Sequence, residues 1–172
     1  MTDPSIPFII QQLEIHQNVF AQILTIDNSF DVSWKPEVSK WCLLDIACHL
    51  LDEEIYDFRS RVQHTLENPH LKMSPIDPEG WVNSKKYMEQ NYSTVVQKLL
   101  EERNHSIQWL LSLQNAHWNN SYEHPVIGSL SAKQFLANWL AHDYLHLRQI
   151  MKLKFQYLEH YSKQDLRYAG SL

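Results

Sequence analysis

Four stretches of this chain repeat their apolar residues at the 3.6-residue period of an α-helix, and none alternates them convincingly as a half-buried strand does. That pattern restricts the chain to helix packed on helix. The first stretch runs from about Ser5 to Ile26, with Ile6, Ile9, Leu13, Phe20 and Leu24 on one face. A polar connection, 27–40, leads to the second, from about Trp41 to Leu66, striped by Leu43, Ala47, Leu50, Leu51, Phe58 and Val62. Residues 67–81, "ENPHLKMSPIDPEGW", hold three prolines and a glycine and read as a loop, the kind that walls a site. The third stretch spans about Tyr87 to Leu113, with Tyr92, Val95, Val96, Leu99 and Leu110 inward. The fourth opens at Ser131, whose hydroxyl and the Gln134 amide make a capping box flanked by Leu130 and Phe135. It continues to about Tyr157. The expected architecture is an all-α four-helix bundle, a single domain over residues 1–172, its up-down order left open by two long connections.

Composition supports this. With only 3 glycines in 172 residues, a turn-rich sandwich or glycine-rich nucleotide fold is disfavoured. A formal charge of −5 without any basic block speaks against nucleic acid, whose affinity rests on cations at phosphates. No apolar run is long enough to span a membrane, and no lysine or arginine precedes Lys35, as a signal peptide would require. Cys42 and Cys48, six residues apart on one expected helix, sit about 9 Å apart, too far for a disulfide. The expectation is a reduced, cytoplasmic protein.

The fourth helix carries an anomaly. In "LANWLAHDYLHLRQI", residues 136–150, His142 and His146 fall near the centre of the arc shared by Phe135, Trp139, Ile150, Leu153 and Tyr157. Side chains four apart on a helix are neighbours, so both rings can converge on one ion. Spacing alone leaves two readings open, a metal site or two core histidines each hydrogen-bonded to a partner. His49, flanking the apolar stripe of the second helix, is the candidate third ligand. Three neutral imidazoles leave a coordination position open, as a catalytic rather than a structural zinc site does.

These segments resemble a known family. "WCLLDIACHLLDEE" is similar to the W-S…HL…E signature of the DinB-like superfamily of bacterial metal-binding four-helix bundles. "EHPVIGSLSAKQFLANWLAHDYLHLRQI" resembles its H-P-x-x-G…HD-x-x-H-x-x-Q-I segment, and "DLRYAGSL" looks like the tail of many members. The resemblance covers nearly the whole chain. It departs at Cys42, where many members carry a helix-capping Ser or Thr. It implies that His49, His142 and His146 hold a divalent metal, usually zinc or nickel. It also brings in relatives that are thiol-dependent transferases and isomerases, and it allows a homodimer.

Several other residues are candidates. Glu53, one turn from His49, and Gln149, three residues after His146, are positioned to support the rings or take a proton. Asp143 falls toward the edge of its face. Glu54 and Arg103 lie within apolar stripes, so they are expected to pair, with Asp57 and Arg61 nearby. A weaker alternative gives Arg103 a substrate carboxylate. His16 reads as a core or boundary histidine, and His70, Trp81, Tyr87 and His124 as residues bordering the site. "HDYLH" has an aspartate where the zinc-protease motif has glutamate, and no recognisable downstream ligand. Of the paired E-x-x-H motifs that a di-iron centre needs, Glu67–His70 is interrupted by Pro69 and Glu102–His105 points off its stripe, so that reading fails.

The expected function is a divalent-metal-dependent transferase or hydrolase. It would activate water or a low-molecular-weight thiol toward a small-molecule substrate, in a pocket at one end of the bundle walled partly by 67–81. The alternative is a non-catalytic metal-binding or dimerising bundle.

Overall fold

The computed structural model describes residues 4–27 and 29–170. The last two residues of the "DLRYAGSL" tail lie outside that range. The bundle is built from α1 (Ser5–Ile23), a continuous second helix, α5 (Tyr92–Ser112) and α6 (Ala132–Ser162). The second helix consists of α2 (Leu43–Asp52), a π-helical turn (Glu53–Phe58) and α3 (Arg59–Glu67). A short helix, α4 (Pro78–Ser84), and a 3₁₀ turn (Tyr87–Glu89) lie within the connection to α5.

Packing fixes the order that the sequence left open. One apolar cluster joins the start of α1 (Ile6, Ile9, Ile10, Leu13) to the far end of the second helix (Phe58, Val62), to Leu110 of α5 and to Leu136, Trp139 and Leu140 of α6. A second joins Phe20 and Leu24 to Leu43, Ile46 and Leu50, to Leu99, and to Ile150 and Leu153. Helix α1 therefore runs parallel to α6, and both run against the second helix and α5. Parallel neighbours need a long return, which residues 68–91 supply between the second helix and α5.

Element boundaries follow local chemistry. The Cys42 thiol accepts from the Asp45 N–H at 3.5 Å, and the Asp45 carboxylate accepts from the Cys42 N–H at 3.1 Å. The capping box is thus complete with sulfur in place of the usual hydroxyl. Ser131 and Gln134 make the expected box on α6, which extends to Ser162 rather than Tyr157. Helix α1 ends at Ile23, short of Ile26. The stretch read as loop over 67–81 includes the start of α4, capped by the Asp77 side chain, with Pro78 in the first turn. Helix α5 begins at Tyr92, not Tyr87. Lys86 takes a left-handed backbone (φ 52°), and Asn91 supplies the cap further on. The segment before α6 holds a two-stranded hairpin, Ser121–His124 with Gly128–Ser131, although the chain shows no strand alternation. Four residues a side are too few to register as a period.

The π turn explains an irregularity in the second helix. Leu50, Glu54, Phe58 and Val62 are all buried at a spacing of four. An α-helix drifts about 40° with each such step, and the wider π turn absorbs that drift. Trp139, 1 % exposed, lies near-parallel to Phe58 and donates its indole N–H to Glu54 at 3.1 Å. Trp139→Ala is expected to cost about 3–5 kcal/mol, the usual range for deleting a buried aromatic side chain. Urea denaturation measures it, and a loss below about 1 kcal/mol would mean that the first cluster does not rely on this ring.

Candidate metal centre

A polar layer crosses the bundle at mid-height, between the two apolar clusters. On α6, His142, Asp143 and His146 fall between Leu140 and Ile150; on the second helix, His49, Glu53 and Glu54 fall between Ile46 and Phe58. Helix α5 contributes Arg103 and α1 contributes His16. The expected placement at one end of the bundle is therefore corrected: the histidines meet midway along it.

They do meet. His142 Nε2 lies 3.3 Å from His49 Nε2 and 3.0 Å from His146 Nε2, and one nitrogen of each ring falls within 4.8 Å of the others. A tetrahedral ion with nitrogens at about 2.0–2.1 Å sets those nitrogens roughly 3.3 Å apart, so the cluster has the size of a coordination shell. Burial, followed by the neighbouring histidines, pushes His49 and His142 down to about 3, and burial also lowers His146. At neutral pH the rings are uncharged and present lone pairs, the state that ligation requires. Each neutral ring carries one lone pair, and a divalent ion among the three nitrogens would take all three at once. The residues fit the metal that the resemblance implies.

Around the rings, Trp41 packs on His49 with centroids 4.7 Å apart, and Phe58 on His142 at 4.9 Å. His49 and His146 are buried, whereas His142 sits toward the flank of its helix and is half-buried, so it marks the accessible side. Glu53 is buried, with Oε1 lacking any hydrogen-bond partner and lying 3.9 Å from His49 Nδ1, itself unpartnered. Burial, then the Asp57 carboxylate, pushes the Glu53 carboxyl up to about 8, so it holds and releases a proton near neutrality. Gln149 lies against His146 and partly offsets the effect of burial on that ring, without a well-formed hydrogen bond to Nδ1.

The rest of the layer is a charge clamp. Arg103 donates from Nε to Glu54 at 2.9 Å, and from its two terminal nitrogens to the Asp143 oxygens at 2.7 and 2.8 Å. Asp143 also pairs with His16 Nδ1 at 3.1 Å. Burial opposes the Arg103 charge, but Asp143 and then Glu54 outweigh it and raise its pKa. Burial likewise opposes the Asp143 carboxylate, and Arg103 overrides it to hold the pKa below the usual range. The Glu54–Arg103 pairing matches expectation. Asp143, read as an edge residue, is instead 0 % exposed and carries the clamp on α6. With both carboxylates engaged, Arg103 has no face left for a substrate. Asp57 and Arg61 pair with each other at 2.8 Å and stay out of the clamp.

The bordering candidates disperse. His124 accepts from the Val126 and Ile127 N–H groups and organises the hairpin turn. Tyr87 is buried and donates to Asp52 at 2.7 Å, while His70 lines a separate shallow recess with Tyr122. Cys48 is buried and belongs to neither the ring cluster nor a disulfide.

A sequence profile described as the DinB superfamily matches residues 12–150. A comparison with curated proteins gives no match. Among solved structures, the chain is similar to YfiT from Bacillus subtilis, described as a probable metal-dependent hydrolase with an unusual four-helix bundle topology. The likeness has a TM-score of 0.78 at 17% identity, over 91% of this chain and 89% of that one, and concerns the fold.

Arg103→Met leaves two buried carboxylates without their cation and is expected to destabilise the bundle by about 3–5 kcal/mol. Adding Glu54→Gln and Asp143→Asn should recover part of that loss. Chemical denaturation of both variants checks it, and equal stability of Arg103→Met and the parent would remove the clamp from the account.

Proposed function

The chain belongs to the DinB superfamily, and on that premise we propose that it is a metal-dependent enzyme acting on a small molecule. The proposed ligands are His49, His142 and His146, and the proposed metal is zinc or nickel. The observation that carries this reading is the convergence of the three Nε2 atoms at 3.0 and 3.3 Å in a buried setting. When bound, such an ion acts as a Lewis acid that lowers the pKa of a water or low-molecular-weight thiol in its remaining position.

The residues around the cluster suit that chemistry. Glu53, facing His49 with an unpartnered oxygen and a pKa near 8, is the group proposed to take and return a proton. Gln149 is proposed to steady the His146 ring. Trp41 and Phe58 screen the rings from bulk water, which strengthens electrostatic effects at the site. The half-buried side of His142 is the proposed approach for a small electrophile, attacked by water in a hydrolase or by a thiol in a transferase. The whole chain, 1–172, is proposed to act as one domain. No helix among the described residues is long and apolar enough to cross a membrane, and both cysteines are free, in keeping with the proposed cytoplasmic setting.

Purified protein is expected to carry about one divalent ion per chain by elemental analysis, and His142→Ala to lose it. Retention at parent occupancy in that variant would refute the ligand set. To separate enzyme from passive binder, metal-loaded protein is assayed against a panel of esters, amides and alkylating electrophiles, with and without small thiols. Turnover is expected with loaded protein and not after chelation; equal turnover in the chelated protein would count against metal chemistry. Full occupancy with no turnover on any substrate would favour the non-catalytic bundle.

A further inference from the structure

A second constellation lies at the end of α2, next to Glu53 in the chain and outside the histidine cluster. Asp52 closes α2, Tyr56 follows one turn later in the π turn, and Trp81 reaches over from α4. The Tyr56 and Trp81 ring centroids are 6.0 Å apart with planes at 62°, making two walls of a notch. Within it sits an ammonium group, Lys85 Nζ, 3.8 Å from the Tyr56 centroid and 4.4 Å from the Trp81 centroid. Asp52 Oδ1 forms the floor at 2.8 Å from the same nitrogen. The floor is fixed in place because Asp52 Oδ2 accepts from the buried Tyr87 hydroxyl at 2.7 Å.

Two aromatic faces and a carboxylate around one cation are the ingredients by which proteins recognise alkylammonium groups. An isolated surface ion pair would not need them. Two separate segments, the second helix and α4, supply the parts, and the Asp52 side chain is 12 % exposed and oriented by a second hydrogen bond. The notch also opens to solvent: Tyr56 is half exposed, and about a third of the Lys85 side chain is accessible. The occupant arrives on a short element that touches the core only through the partly buried Trp81 and Val82. Lys85 is the C-cap of α4, a helix of seven residues with no buried member.

We propose that Asp52, Tyr56 and Trp81 form a binding site for the alkylammonium group of a small molecule, with Lys85 as its resident stand-in. A ligand cation displaces the lysine and loosens the hold of α4 on α2. Lys85 competes as a tethered group, at an effective concentration in the millimolar range or above, so it masks weak ligands of the same class. The proposal is independent of the metal reading, since none of its residues belongs to the histidine cluster.

The test uses tetramethylammonium chloride as probe and potassium chloride at equal ionic strength as control. Binding is followed by ligand-observed NMR and by the Trp81 indole resonance. Lys85→Ala is expected to bind the probe at least about ten-fold more tightly than the parent, because the tethered competitor is gone. Adding Trp81→Ala or Asp52→Asn to it should abolish the gain. Lys85→Gln, which keeps the chain length, is the parallel variant should Lys85→Ala fold poorly by circular dichroism. In the parent, saturating probe is expected to speed amide exchange across 78–86 and potassium to leave it unchanged. Probe binding no tighter without Lys85, or binding that survives loss of Trp81, would overturn the proposal.

Discussion

A single buried cation organises the middle of this bundle. Arg103 comes from α5 yet is held by Glu54 on the second helix and Asp143 on α6, so one guanidinium cross-links three helices. None of the three groups tolerates burial alone, because an unpaired charge in the interior costs several kcal/mol. The arrangement therefore admits one relative placement of those helices, the one that brings both carboxylates to the same planar fork. His16 extends the constraint to the remaining helix through Asp143. Apolar contacts above and below supply most of the driving force, but they are less directional than this layer.

The histidine cluster depends on that placement. Asp143 lies between His142 and His146 on α6, and Glu54 follows Glu53, one turn beyond His49, on the second helix. Fixing the carboxylates in the clamp fixes the depth and rotation of the helices that carry the rings. The π turn contributes by letting neighbouring residues serve different ends. Glu53 turns to His49 and Glu54 to Arg103, and both are buried. Such turns recur at functional sites because they place one more residue on an inward face than an α-helix allows.

Much of this was legible in the chain itself. Helical periodicity located the four long helices, the Ser131–Gln134 box marked the start of α6 within a residue, and an inward Glu54 and Arg103 announced their own pairing. The convergence of His49 with His142 and His146 was expected from spacing together with the family resemblance, and the rings are gathered in that way. Asp143 was misjudged because a projected helix face is uncertain by a few tens of degrees, and its burial depends on a partner 40 residues earlier. The parallel pairing of α1 with α6 leaves no local trace either; it arises from how the two apolar clusters are shared. Helix α4 did carry a readable signal, since Asp77 before Pro78 is a cap followed by a first-turn proline. The surrounding prolines obscured it.

The span of sequence that the ring cluster closes has a consequence of its own. His49 and His142 are 93 residues apart, and between them the chain runs down one helix, crosses the bundle, descends another and turns through the hairpin. Closing so long a loop is expected to come late in assembly, after shorter-range contacts have repaid part of its entropy. A fragment holding α6 alone would keep two rings and lack the third, so the complete set exists only in a chain that has finished folding. Convergence of these three nitrogens is thus a readout of the completed topology as much as a feature of one site.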